Sequence, residues 1–143
     1  MHLTVESARG RVPVEILAIH GDLDASNFQE VIEKARELRA AGARHLLLDL
    51  SDMPFMGSSG VVAIHSVALI MRGIEPPNPE YGWQAFHNVG REREHTAEQL
   101  VKLLGPNARV SHTLRMTGVN DFLEIFGDRD TAIASFDSSQ QGS

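Results

Sequence analysis

The run Leu46-Leu47-Leu48 leaves this chain few ways to fold. Periodicity cannot separate so short a run from one turn of a buried helix, but its length and the Asp49, Ser51 and Pro54 that follow favour a strand over His45–Leu50. With no polar alternation, such a strand must be covered on both faces, as in a sheet with helices packed above and below. After a loop comes a second apolar stretch, Gly60 to Arg72, containing Val61, Val62, Ile64, Val67, Leu69, Ile70 and Met71. It is long for a strand and reads as a largely buried helix. The strand, loop and helix place Ser58 and Ser59 at a helix start.

The flanking segments supply the layers. Leu3–Glu6 and Val12–His20 read as strands, the second with Val12, Val14, Ile16 and Ala18 alternating, and Ala8, Arg9 and Gly10 suggest a hairpin turn between them. Gly21-Asp22-Leu23-Asp24 is a loop, with Asp24 or Ser26 placed to cap the following helix. Phe28, Val31, Ile32, Ala35 and Leu38 recur at helical spacing, and Gly42 ends the pattern. Residues 73–96 change character, with Pro76, Pro77 and Pro79, then Tyr81, Trp83 and Phe86, then Arg91-Glu92-Arg93-Glu94, and are expected to be an inserted loop. Gln99–Leu104 reads as a strand, although Arg91–Leu104 also suits a helical period. A short helix through Val110, Leu114 and Thr117 closed by Gly118, a strand Leu123–Phe126 and a helix Thr131–Phe136 with Ile133 inward complete the pattern. The order predicts an α/β fold with a mixed, mostly parallel central sheet and about four helices packed on it. Residues 1–136 are expected to form one domain, and 137–143 a disordered tail.

Composition narrows the function classes. There is no cysteine among the 143 residues, so disulfides and thiolate metal sites are excluded. The 7 histidines are scattered without metal-binding spacing, and no metal or cofactor is expected. The 13 Lys+Arg against 19 Asp+Glu give a net charge of -6, with no basic run, which argues against direct nucleic-acid or membrane partners. The start Met1-His2-Leu3-Thr4 has no signal-peptide pattern and no apolar run is long enough to span a bilayer, so a cytoplasmic protein is expected.

The segment Asp49-Leu50-Ser51-Asp52-Met53-Pro54-Phe55-Met56-Gly57-Ser58-Ser59-Gly60 resembles the signature of the STAS domain, and most closely that of anti-sigma factor antagonists. Gly21-Asp22-Leu23-Asp24 is similar to the family's Gly-Glu-Leu-Asp element, and Leu103-Leu104-Gly105-Pro106 leading to Thr117-Gly118-Val119 and Phe126 to a third. The resemblance implies a protein-binding switch without catalytic chemistry. Unphosphorylated, it would bind an anti-sigma factor that is also a serine kinase of the histidine-kinase-like ATPase type, releasing a sigma factor. That kinase would phosphorylate Ser58, and a phosphatase would reverse it. The partner surface so implied comprises Asp22, Asp24, Phe55, Met56, Gly57, Ser58 and Ser59. A phosphate adds about -1.5 to -2 charges. Against an acidic or dry partner surface a penalty of roughly 1.5–3 kcal/mol weakens binding about ten- to a hundredfold or more.

Two departures qualify the resemblance: Gly57 stands where the family carries Asp, and residues 73–96 are inserted. Both favour an alternative, a STAS module that binds a small ligand or acts as a scaffold without phosphorylation. Capping of the helix by Ser58 and Ser59 is a further reading. A hydrolase triad drawn from a serine, His65 or His112, and Asp24 or Asp49 is the least favoured. Gly57-Ser58-Ser59-Gly60 lacks the nucleophile-elbow spacing.

Overall fold

The structure, a computed structural model, describes residues 1–76 and 98–137. Strands β1 (His2–Arg9), β2 (Pro13–His20), β3 (Leu46–Asp49), β4 (Glu98–Leu104) and β5 (Leu123–Phe126) form a sheet in that order. The hairpin β1–β2 is antiparallel, and the remaining three pairings are parallel. Helices α1 (Phe28–Ala40), α2 (Ser58–Met71) and α3 (Ala108–Met116) serve one face, and α4 (Arg129–Ser135) the other. This is the mixed, mostly parallel α/β architecture that the pattern predicts.

Strand alternation divides the apolar residues between two cores. Leu17 and Ile19 of β2, Leu46 and Leu48 of β3, and Val101 and Leu103 of β4 pack under α1, α2 and α3. Val14 and Ile16, Leu47, and Leu104 point the other way, against Ala132 and Phe136. The leucine run has no alternation because both of its faces are buried. α2 packs against α1 and β4, and of its residues after Gly60 all but Val62 are buried.

Local signals mostly resolve as their chemistry suggests. Gly42, at φ +112°, ends the first helical pattern. Glu98–Leu104 is strand, which decides against helix there, while the rest of the insertion, including Tyr81, Trp83 and Phe86, lies outside the described residues. In α4 the fully buried residue is Ala132, joined by Phe136 immediately after the helix, and Ile133 is half-buried beside them. Asp128 caps α4 by accepting from Thr131 N at 2.8 Å and Thr131 Oγ1 at 2.7 Å, which holds its carboxyl below the usual carboxylate range.

One cap departs from expectation. Neither Asp24 nor Ser26 caps α1; Asn27 occupies that position without a side-chain cap. The Asp24 carboxylate instead turns back on its own loop, accepting from Ser26 N at 2.9 Å and Ser26 Oγ at 2.6 Å. α1 starts four residues after Asp24, so the nearest amides within reach of this carboxylate belong to the turn rather than the helix.

Candidate partner-binding site

Two loops at the C-terminal ends of the parallel strands are joined through their backbones. Gly21 N donates to Asp52 O at 3.0 Å, Leu23 N to Phe55 O at 3.0 Å, and Gly57 N to Leu23 O at 2.9 Å. Leu23 and Met56 form a parallel bridge, and both side chains enter the core. Asn107 ties in α3: its amide donates to Met53 O at 3.1 Å and Pro54 O at 3.2 Å, and its Oδ1 accepts from Val110 N as the helix cap. Three segments distant in sequence therefore share one edge, and none of these ties uses an acidic or serine side chain.

Gly57 is the N-cap of α2, which makes Ser58 and Ser59 its first two residues. Neither hydroxyl caps the helix, because capping requires the position before the first helical residue. Ser58 is exposed and Ser59 half-buried, and among the described residues neither hydroxyl has a hydrogen-bond partner. The first turn of α2 contains no acidic residue, so its own sequence leaves the positive end of the helix dipole beside Ser58 without a compensating charge within that turn.

The two glycines around the serines differ in what they allow. Gly57 has ordinary extended backbone at φ -84°, and a Cβ there would make ordinary contacts with Phe55 at 3.6 Å and Asp24 at 3.8 Å. A Cβ fits at this position, so neither backbone conformation nor crowding at Cβ requires glycine there. Gly60 is constrained: a Cβ would approach Met56 Cγ to 2.6 Å and Leu23 Cγ to 3.1 Å. Only glycine lets α2 press so closely on the joined loops.

Other expected residues fall unevenly on this edge. Asp22 is exposed and Asp24 half-buried, the latter held below the usual carboxylate range by the hydroxyl and then the amide of Ser26. Phe55 is 40% exposed, with the Arg109 guanidinium 5.6 Å from its ring centre. Met56, expected on the partner surface, is only 2% exposed. The bridge to Leu23 turns its side chain into the core, so its role at this edge is structural. Beside the serines, Val61, Val62 and Thr117 complete a cleft of about 290 Å3. Thr117 belongs to the third element of the resemblance, whereas Arg109 carries no local motif that marks it, and only the docking of α3 brings it here.

Histidines serve the frame. His20 shares hydrogen bonds with Asp52 Oδ2 at 2.7 Å and Thr4 Oγ1 at 2.9 Å, and stacks on His2 at 4.4 Å. His65 is buried on α2 against Phe122, and His112 is exposed on α3. Among the described residues no histidine hydrogen-bonds either serine, so the triad does not assemble. No described group of three or more His, Asp or Glu is placed to hold a metal, and no described helix is long and apolar enough to cross a membrane.

Residues 7–73 match the family model of the STAS domain. That segment, a little under half of the chain, is similar to the STAS domain. Among curated proteins none matches its sequence significantly. Its fold is similar to that of an anti-sigma factor antagonist from Mycobacterium paratuberculosis, with a TM-score of 0.66, 15% identity, and coverage of 94% of this chain and 92% of the other. Unphosphorylated SpoIIAA, an anti-sigma factor antagonist, matches with a TM-score of 0.58 and 17% identity over 99% and 98%. Bacillus SpoIIAA in its phosphorylated form matches with a TM-score of 0.53 and 16% identity over 92% and 96%. The STAS domain of a SulP transporter from Vibrio cholerae matches with a TM-score of 0.53 and 20% identity over 85% and 77%. The matched segment contains the joined loops, both serines and all of α2.

Proposed function

We propose that this STAS domain is an anti-sigma factor antagonist whose partner surface is the joined-loop edge and whose switch is Ser58. The observation that carries the reading is the exposed, unbonded Ser58 hydroxyl at the first position of α2, on a fold shared with a protein solved both unphosphorylated and phosphorylated. The partner is an anti-sigma factor that is also a serine kinase of the histidine-kinase-like ATPase type, acting in the cytoplasm, with a phosphatase resetting the switch. Residues 1–136 act as one unit. Helix amides and dipole favour a phosphate at Ser58 within the chain itself. The same charge, placed against a partner packed on Phe55 and the serine cleft, disfavours the complex. The chain needs no catalytic group for this role.

The test is incubation with purified anti-sigma kinase and ATP, followed by mass spectrometry. One phosphate on Ser58, absent from Ser58→Ala, is expected, and Ser58→Glu should weaken the complex by tenfold or more. Stable binding with no phosphate would overturn the switch and leave the second reading, a scaffold or ligand-binding module. Gly57 favours that second reading, because a Cβ would fit at this position and the sequence supplies no carboxylate there.

A further inference from the structure

Resting on that reading, we infer that α3 forms the other half of the docking surface, and that it fits a partner bearing an apolar side chain flanked by a carboxylate. α3 runs beside the serine edge along its whole length. At its start Asn107 holds the loop carbonyls of Met53 and Pro54, and Arg109 covers the ring of Phe55. At its end Thr117 lines the cleft with Ser58, Ser59, Val61 and Val62. Val110 and Leu114 are fully buried and fix the rotation of the helix. Arg109, Thr113 and Met116, spaced four and three residues apart, then share one outer edge.

Met116 on that edge is 73% exposed, the largest exposure of any big hydrophobic side chain among the described residues. Phe55, at 40%, is exposed beside Arg109 at the other end of α3. A flexible thioether next in sequence to the cleft residue Thr117 is suited to receiving a partner's apolar residue. The electrostatics are two-sided. α3 carries Arg109 and Arg115 and no acid, in a chain of net charge -6. Asp24 stands beside Gly57, and Asp22 is exposed two residues before it on the same loop. A partner matched to both sides places a carboxylate over Arg109 and a basic side chain over Asp22, with the apolar residue between. A uniformly basic partner would be attracted to one side and repelled by the other.

Calorimetric titration of purified anti-sigma factors of the histidine-kinase-like ATPase type decides this, using Asp22→Lys, Arg109→Glu, Met116→Asp and Ser58→Glu, each checked for unchanged thermal unfolding. A two-sided partner predicts at least tenfold weaker binding for Asp22→Lys, Arg109→Glu and Met116→Asp alike. Tighter or unchanged binding of Arg109→Glu together with unchanged binding of Met116→Asp, while Ser58→Glu still weakens the complex, overturns the role of α3 and leaves the serine switch standing. Unchanged binding of Ser58→Glu overturns the switch, and no complex with the unmodified chain overturns both.

Discussion

The serine edge and the α4 face of the sheet spend their polar groups in opposite ways. On the α4 face a lysine is drawn into the structure: Lys102 is 1% exposed, donates to Ser135 O at 3.1 Å and Ser135 Oγ at 3.0 Å, and pairs with Glu124 at 3.2 Å. Its ammonium also lies 4.9 Å from the centre of the Phe136 ring. On the serine edge the backbone makes the ties, and Asp22, Ser58 and the upper side of Phe55 remain exposed. A buried charge that is fully engaged stabilises one arrangement, whereas side chains left unengaged over a rigid backbone are available to a partner. On the function proposed above, the difference separates a structural face from the interaction surface.

The largest effect should come from breaking the structural face. Phe136→Ala removes the main side chain with which α4 covers the second core, and should cost about 3–5 kcal/mol in denaturant unfolding. Loss below about 1 kcal/mol would mean that α4 contributes little to stability. Gly60→Ala attacks the frame of the interaction edge instead. The added methyl must displace Met56 and Leu23, so about 1–3 kcal/mol should be lost, with weaker partner binding as the loops shift.

A smaller effect follows from His45, which is buried and stacked edge-on against Phe136. Desolvation, aided by the charge of Lys102 and opposed by a hydrogen bond to Pro13, holds its pKa below the ordinary 6.5. The unfolded chain therefore binds this proton more readily than the folded one. The contribution of His45 is complete above about pH 6.5 and is lost as the pH falls towards the depressed value. Thermal unfolding should shift down on acidification through this range, and His45→Gln should flatten that dependence. The smallest stability change belongs to Ser58→Ala, within about 0.5 kcal/mol of the parent because no bond is lost. A near-silent change in stability combined with a complete loss of phosphate would sharpen the contrast between the two faces.

Much of this arrangement is legible in the residues themselves. The leucine run forces two covered sheet faces, Gly42 marks a helix end, and the apolar stretch after the serines becomes α2. What pattern reading misses is long-range geometry. Lys102 sits in an apolar strand where composition cannot say whether the ammonium reaches solvent, and only the tertiary placement of Ser135, Glu124 and Phe136 accounts for its burial. Asp24 has the chemistry of a cap, but the start of α1 is set by where its apolar face meets the core, beyond the reach of that carboxylate. Met56 falls within the recognisable motif, but the bridge to Leu23 assigns it to the core. Arg109 and Met116 have no local signal at all, and α3 reaches the serines only because β4 lies next to β3 in the sheet.

The joining of the two loops by main-chain hydrogen bonds has an evolutionary consequence. Peptide groups are the same whatever side chain they carry, so residues such as Asp22, Phe55 and Ser58 can be exchanged without unpicking the ties that hold their positions. Related copies of such a domain within one cell could diverge in whom they recognise while keeping one scaffold, and repulsive side chains at these positions would keep parallel signalling lines from crossing.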